Sequence, residues 1–258
     1  MMHPVNHHPD RRDVLQGGLL LGVAALLAGC SGGGQGRALP GAVWPDDARR
    51  TATLPGTKPT VIPSSTGGTP VARGAGALPP GVIPRAAWNS QGMVTGRLTA
   101  NGQNGRMGAI TRITIHHDAL DSSSIRSQSD AAYRLNAIRN GQMTRKPEPF
   151  ADIGYHYIID PQGRIWEGRS IAYQGAHVRG QNENNLGIML MGHFDQQRPT
   201  SSAIESLDAF VASQMARYGI PLSRVKTHQE LASTECPGRN LQRYMAQSRA
   251  RGGALARA

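Results

Sequence analysis

Two side chains near the carboxyl terminus, His228 and Cys236, could bind a metal ion or take part in nucleophilic attack. They lie eight positions apart, and a Pro-Gly pair after the cysteine is typical of a turn. The chain has only two cysteines, and the other, Cys30, ends a stretch with the features of an export signal. Cys236 therefore has no expected disulfide partner, and its thiol is a metal ligand, a nucleophile or an inert core residue.

A third candidate ligand is expected at the end of a strand. A catalytic zinc ion is typically held by three protein side chains, which leaves one position for water. His116 and His117 follow the β-branched run Ile113–Ile115, which predicts a strand. Adjacent strand residues point to opposite faces, so we expect only one of these histidines to reach a metal. The spacing alone does not choose between them.

Three further segments predict strands. Tyr155–Ile159 leads through a turn at Asp160–Gly163, with Pro and Gly at positions that a type I turn favours, into the strand Arg164–Glu167. Leu186–Met191 is an almost continuous apolar run, which predicts a central strand that is covered on both faces.

Two helices are predicted between the strands. One covers Ser127–Asn140 with Gly141 as its C-cap, and the other covers Ala203–Tyr218, with a capping box that begins at Ser202 and Gly219 as its end. We expect an α/β fold in a single domain, with a mixed central β-sheet covered by helices on both faces.

The amino terminus has the pattern of an export signal. Arg11 and Arg12 precede an uncharged apolar run, Val14–Ala28, that is shorter than the ~20 residues needed to span a bilayer as a helix. The sequence Leu-Ala-Gly before Cys30 resembles a bacterial lipobox, in which this cysteine would carry the lipid. The paired arginines also resemble a twin-arginine signal, so the export route stays open. We expect a lipoprotein on the periplasmic face of a membrane, the outer membrane in a Gram-negative cell.

Composition divides the chain into four parts. Residues 1–29 form the expected signal peptide. Residues 30–80 are rich in Gly, Pro, Ser and Thr and show no helix or strand period, which predicts a lipid-anchored flexible linker with a span of roughly 40 Å. We expect the folded domain over residues 81–245 and a disordered tail over residues 246–258.

The chain is basic, with 28 Lys+Arg, 17 Asp+Glu and a net charge of +11. The arginines are dispersed, no basic run exceeds two residues, and export would remove the chain from cytoplasmic nucleic acid. We therefore expect no nucleic-acid partner. The dispersed arginines are mainly expected to form a solvated surface, and the alternative is affinity for an anionic polymer such as the cell wall, or for an anionic membrane.

Five motifs follow one another along the chain, and they are Ile113–His117, Ile153–Ile159, Gly175–His177, Leu186–Gly192 and Thr227–Gly238. Together they resemble the zinc-dependent N-acetylmuramoyl-L-alanine amidases of the phage-lysozyme and peptidoglycan-recognition-protein group. The resemblance covers roughly residues 83–241. It implies that His116, His228 and Cys236 bind zinc. Two imidazoles and a thiolate would leave the ion one unit of positive charge, which lowers the pKa of bound water toward ~7.

The resemblance also implies the reaction and the other site residues. Tyr155 and Thr234 match catalytic residues that could donate hydrogen bonds to a forming oxyanion, and His177 matches a histidine that lines the substrate groove. The implied reaction is hydrolysis of the amide bond between N-acetylmuramic acid and L-alanine, in peptidoglycan or in muropeptides. We expect the enzyme to be a monomer.

The chain departs from the family pattern at three positions. Met189 stands where a related branch has a glutamate as candidate general base, Thr234 stands where phage enzymes have a lysine, and Asp118 replaces a small hydroxyl residue. The group that accepts the proton of the attacking water is therefore unassigned, and Glu235 is only a neighbour in sequence.

Two other functions remain as alternatives. One is a peptidoglycan-binding module without catalysis, but inactive members of the family typically lack the cysteine or a ligand histidine. The other is a cysteine hydrolase that uses Cys236 and His228, which would require a free thiolate.

Overall fold

The computed structural model describes residues 77–98 and 105–258. The expected signal peptide, Cys30 and most of the expected linker lie outside the described residues. The described part forms one six-stranded sheet and three α-helices. Its strands are β1 (Val82–Ile83), β2 (Arg112–His117), β3 (Tyr157–Ile159), β4 (Ile165–Glu167), β5 (Asn185–Leu190) and β6 (Val225–Thr227). Its helices are α1 (Gln128–Thr144), α2 (Ser201–Tyr218) and α3 (Arg239–Arg249).

The sheet is mixed, with the strand order β1-β4-β3-β5-β2-β6. β2 pairs in parallel with both β5 and β6, and β3 pairs in parallel with β5. Only the β3–β4 pair is antiparallel among the paired strands of the described residues. The carboxyl ends of β2, β5 and β6 therefore lie at the same edge of the sheet, where ligands commonly bind in α/β folds.

Helices cover both faces of this sheet, which confirms the predicted fold class. On one face, Ile113 and Ile115 of β2 belong to an apolar cluster that includes Leu207 of α2 and Leu241 of α3. On the other face, a second cluster joins strand residues to α1, and its members include Ile158, Met189, Ala131 and Leu135. All six residues of β5 are buried, as predicted for a central strand.

The helix ends differ from the predictions by a few residues. α1 continues past Gly141 because tertiary contacts hold its last turn: Gln142 accepts a hydrogen bond from the Phe150 amide at its backbone and from the Gly154 amide at its side chain. α2 begins two residues earlier than predicted, since Thr200, not Ser202, accepts the hydrogen bond from the Ala203 amide at 3.1 Å. No helix in residues 77–98 and 105–258 is long and apolar enough to cross a membrane.

The carboxyl terminus differs most from the prediction. The predicted disordered tail began at residue 246, but α3 continues to Arg249 and Leu255 is buried against the cluster of α2 and α3. The Leu255 amide donates a 3.0 Å hydrogen bond to the carbonyl of Ser248, which folds the segment back onto the helix. Order also begins before residue 81, since Leu78 packs on the same cluster. A single apolar residue in a Gly-, Ala- and Arg-rich segment produces no periodic pattern, so the sequence alone did not reveal this packing.

Candidate metal centre

Three side chains that could hold a metal ion converge at the carboxyl edge of the sheet. His116, His228 and Cys236 place their ligand atoms within 4.8 Å of one another. No other such group of three occurs among the residues that the structure describes. His116 comes from the end of β2, His228 from the residue after β6, and Cys236 from the loop before α3. Three segments that are distant in sequence therefore build one site.

The alternation of side chains along β2 separates the two adjacent histidines. Ile113 and Ile115 face the cluster of α2 and α3, so His116 points to the opposite face of the sheet, where α1 packs. His117 faces Phe194, and its Nδ1 atom lies 3.4 Å from the Phe194 amide. The structure thus brings His116 into the group of three and directs the His117 ring away from it.

Hydrogen bonds hold Cys236 in a turn. The Gly238 amide donates to the carbonyl of Glu235 at 2.6 Å, and the Gln229 amide donates to the carbonyl of Cys236 at 2.8 Å. Gly238 has φ +85, and a Cβ atom there would lie 2.7 Å from the carbonyl carbon of Phe194, so a larger residue would displace the turn. The backbone amide of His117 also donates to the Cys236 Sγ at 3.4 Å. The predicted Pro-Gly turn therefore positions the sulfur atom.

A carboxylate outside the group fixes the segment that carries His228. Glu230 accepts a hydrogen bond from the Thr227 amide at 3.1 Å and another from Arg249, at the end of α3, at 2.8 Å. Gln242 of α3 donates to the other carboxylate oxygen at 3.0 Å. Glu230 therefore connects Thr227, the residue before His228, to α3 through hydrogen bonds. The Thr-x-x-Glu spacing of a capping box is present in the sequence from Thr227 to Glu230, but no local pattern indicates that Glu230 also binds α3.

Burial favours the neutral forms of His116 and Cys236 when no cation is bound. Loss of hydration, together with the neighbouring His177 and His228, lowers the pKa of His116 well below its usual value. Burial also raises the pKa of the Cys236 thiol to about 12, although the His117 amide opposes this shift. A free thiolate is therefore disfavoured at neutral pH, whereas metal coordination deprotonates a thiol outright.

The donor set fits a zinc ion, and one pair of donor atoms already has the spacing that tetrahedral coordination requires. Tetrahedral zinc with nitrogen and sulfur ligands requires ligand atoms roughly 3.4–3.7 Å apart. The Nδ1 atom of His116 lies 3.6 Å from the Cys236 Sγ. Imidazole and thiolate ligands also suit zinc, whereas harder cations such as magnesium and calcium prefer oxygen ligands. His116, His228 and Cys236 could therefore hold zinc.

The candidate catalytic residues lie in the same region. The ring centroid of Tyr155 is 5.2 Å from that of His116. Burial, with smaller contributions from Cys236 and Asp118, raises the pKa of Tyr155, so its phenol keeps the proton and can donate a hydrogen bond. Thr234 belongs to the turn that carries the cysteine, and its Oγ1 atom accepts the Cys236 amide at 3.3 Å.

His177 lies beside a ligand histidine. Its ring is only 7% exposed, and its Nδ1 atom lies 3.0 Å from the Nε2 atom of His116. We expect His177 to line the substrate groove from the family resemblance. In the structure both of its ring nitrogens have hydrogen-bond partners inside the protein, His116 and the Asn185 carbonyl. The Gly-Ala-His motif lies on neither a helix nor a strand, so its sequence carried no signal for the direction of the ring.

Residues 106–239 match the Amidase_2 family, which is described as N-acetylmuramoyl-L-alanine amidase. This chain belongs to that family. It is similar to peptidoglycan-recognition protein SD of Drosophila simulans, with 26% identity over 162 residues, which are 62% of this chain and 81% of that protein. It is also similar to the endolysin of Escherichia phage T7, with 30% identity over 112 residues, 42% of this chain and 73% of the endolysin.

A solved structure supports the same relationship. Peptidoglycan recognition protein-LE, in complex with tracheal cytotoxin, a monomeric diaminopimelic acid-type peptidoglycan, aligns with a TM-score of 0.52 and 25% identity. The alignment covers 62% of this chain and 88% of that one.

Two of the three departures from the amidase pattern, Met189 and Asp118, have structural explanations. Met189 is fully buried and packs in the cluster beneath α1, where an ionised glutamate would lose its hydration. Asp118 is held by the Gly192 amide at 2.7 Å and by Arg134 at 2.9 Å, so it joins the strand end to α1. Glu235 is exposed. None of these contacts identifies a general base.

The pH dependence of stability tests the anchor of the His228 segment. Burial opposes ionisation, but hydrogen bonds from Arg249, the Thr227 amide and Gln242 outweigh it and lower the pKa of Glu230 to about 2. A depressed pKa stabilises the fold above the unfolded value of 4.5, and this stabilisation is lost as pH falls towards about 2. We expect Glu230→Gln to reduce the free energy of unfolding more at pH 7 than at pH 2.5, measured by denaturant titration.

Wild type and Glu230→Gln contain the same histidines. The difference between their free energies of unfolding therefore reports on Glu230 alone. The control is Glu235→Gln, which makes the same chemical change at an exposed position. A difference between wild type and Glu230→Gln that stays constant from pH 7 to pH 2.5 would contradict the assigned anchor.

Proposed function

We propose that this chain is a zinc-dependent amidase that hydrolyses the bond between N-acetylmuramic acid and L-alanine in peptidoglycan or muropeptides. The observation that carries the proposal is the convergence of His116, His228 and Cys236 within 4.8 Å, beside Tyr155. Membership of the amidase family supports the reaction. The peptidoglycan fragment bound by peptidoglycan recognition protein-LE supports the substrate class.

Each side chain has a defined task in this proposal. His116, His228 and Cys236 would hold zinc, which supplies a Lewis acid and makes water nucleophilic at neutral pH. Tyr155 would donate a hydrogen bond from its phenol to the oxygen on which negative charge develops during attack. Thr234 already accepts the Cys236 amide, which leaves its own hydroxyl proton for the substrate. Both donors lie in a partly buried region, where such hydrogen bonds are stronger than in water.

The protonation of Cys236 argues against a cysteine hydrolase. That mechanism requires a thiolate without a metal, yet burial raises the pKa of this thiol to about 12. The His228 ring also belongs to the metal-binding group, close to His116, with ring centroids 4.7 Å apart. Both residues are therefore better suited to bind zinc than to act as a nucleophile and its base.

We also propose that the domain is tethered to a membrane. The basis is the sequence of the residues before position 77: an apolar run, a lipobox-like end at Cys30 and a Gly- and Pro-rich linker. A lipid on Cys30 would hold the amidase domain beside the cell wall on the periplasmic face, while the linker would let it reach substrate.

Substitutions at the site separate metal binding from catalysis. Cys236→Ser should lose bound zinc and all activity. Tyr155→Phe should keep stoichiometric zinc while kcat falls by about 10²–10³-fold, the typical effect of losing one oxyanion donor. Products from defined muropeptides are identified by mass spectrometry, and zinc is measured by atomic absorption. The control is Tyr133→Phe, the same change at an 80% exposed tyrosine on α1, which should behave as wild type.

Wild-type protein with stoichiometric zinc that releases no peptide would contradict the amidase proposal. If that protein still bound peptidoglycan, it would be a binding module. Activity that survives complete removal of metal by a chelator would instead support a thiol nucleophile.

Substitution of the two cysteines tests the tether. Cys30→Ser should abolish incorporation of labelled palmitate and move the protein from the membrane fraction to the soluble fraction. The matched control is Cys236→Ser, which should keep its lipid. Persistent labelling of Cys30→Ser would refute the assigned lipidation site.

A further inference from the structure

The ring of His177 makes two hydrogen bonds, and together they define where its proton lies. Its Nε2 atom is 3.1 Å from the carbonyl oxygen of Asn185. A carbonyl oxygen only accepts, so Nε2 must carry a proton. In a neutral imidazole the other nitrogen then has a lone pair, so the Nδ1 atom of His177 is an acceptor.

That acceptor faces a metal ligand. The Nδ1 atom of His177 lies 3.0 Å from the Nε2 atom of His116, a distance at which one proton is shared between the two rings. Since His177 accepts, His116 must donate, and its single proton resides on Nε2. The Nδ1 atom of His116 then has a lone pair, and it is this atom that lies 3.6 Å from the Cys236 Sγ.

Two glycines create the space for the His177 ring. A Cβ atom at Gly175 would lie 2.3 Å from the Cδ2 atom of His177, and one at Gly187 would lie 2.6 Å from the same atom. Neither glycine has a positive φ, so the backbone conformation does not require glycine at these positions. At Gly187 the requirement is room for the ring, and at Gly175 it is room for the ring and for the Gly154 carbonyl oxygen, which an added Cβ atom would approach to 2.8 Å. We call these two residues the glycine slot.

The segment that carries His177 is held by further hydrogen bonds. The side-chain oxygen of Asn182 accepts the His177 amide at 2.9 Å and the Val178 amide at 2.8 Å. Asn185, whose backbone carbonyl accepts the hydrogen bond from the His177 ring, is also fixed by its side chain. Its Oδ1 atom accepts a 2.8 Å hydrogen bond from the Thr114 hydroxyl of β2. The position of the ring is therefore set by contacts on both of its sides.

We propose that His177 is a positioning residue, which fixes the tautomer and orientation of His116 so that Nδ1 is presented to the metal. The chain of hydrogen bonds runs from His116 through His177 to the Asn185 carbonyl, and the glycine slot keeps the middle ring in place. This inference rests on the proposed metal centre. It assigns a common purpose to the Gly175–His177 and Leu186–Gly187 motifs. Loss of such outer hydrogen bonds typically weakens metal binding by about 10–100-fold.

The first test reads the tautomer directly in the whole chain without metal. Nitrogen-15 NMR of the imidazole rings distinguishes a protonated Nε2 from a protonated Nδ1. We expect the Nε2–H tautomer for His116 in the wild type. A dominant Nδ1–H tautomer would overturn the proposal without any substitution. This measurement needs neither zinc nor activity, so it decides the role of His177 even if the amidase proposal fails.

The second test compares two substitutions of similar shape. His177→Asn keeps an acceptor oxygen near the position of Nδ1, whereas His177→Leu removes it. We expect the zinc dissociation constant, measured by chelator competition, to rise about 10–100-fold for His177→Leu and to recover substantially for His177→Asn. Equal zinc affinities in wild type and His177→Leu would overturn the role of His177. Because wild type and variant would both still bind zinc, that result would not contradict the proposed metal centre.

The glycine slot provides a test that leaves His177 in place. Gly187→Ala should displace the ring, weaken zinc binding in the same range and populate the Nδ1–H tautomer of His116. The control is Gly141→Ala, where an added Cβ atom meets nothing within 4 Å. Wild-type zinc affinity and an unchanged tautomer in Gly187→Ala would contradict the proposed role of the slot.

Discussion

Complete burial of His116 at the carboxyl end of β2 is the constraint on which the site depends. A buried imidazole has two nitrogen atoms that need partners, and burial disfavours its charged form. One nitrogen is satisfied by His177, and the other faces Cys236 and His228. A divalent cation is the partner that would satisfy a lone pair of this kind together with a second imidazole and a buried thiol. The burial of His116 is thus the physical reason why these three side chains would favour a bound cation.

Maintaining this arrangement requires three distant segments to be fixed independently. β2 is held within the sheet by parallel pairing on both sides. The His228 segment is tied to α3 through Glu230 and Arg249, and the Cys236 turn is possible only because Gly238 approaches the backbone at Phe194. The buried carboxyl-terminal residue Leu255 contributes to the same cluster as α3. Parts of the chain that touch no substrate therefore determine the position of the ligands.

Patterns with a strong period were predicted well from the sequence. The apolar run of β5 and the end of α2 at Gly219 are examples, because each depends on local residue types. The choice between His116 and His117 depends on which face of β2 packs against which helices, and no local pattern contains that information. The direction of the His177 ring, and its packing against the glycine slot, could not be predicted for a related reason. Glycine at two separate positions indicates space only when the ring that occupies it is known.

In the proposed amidase, no carboxylate stands where a related branch has its candidate base. Met189 is part of the apolar core, and Asp118 is held by Arg134 and the Gly192 amide. If the proposed function holds, stabilisation of the oxyanion by Tyr155 and Thr234 would be the largest catalytic contribution from this chain's own side chains.

X-ray absorption spectroscopy at the zinc edge tests the central claim most directly. In the purified, zinc-loaded protein, the account predicts a coordination shell of one sulfur, two imidazole nitrogens and one further light atom, with the sulfur absent in Cys236→Ser. A shell of nitrogen and oxygen atoms only, unchanged in that variant, would contradict the proposed metal centre.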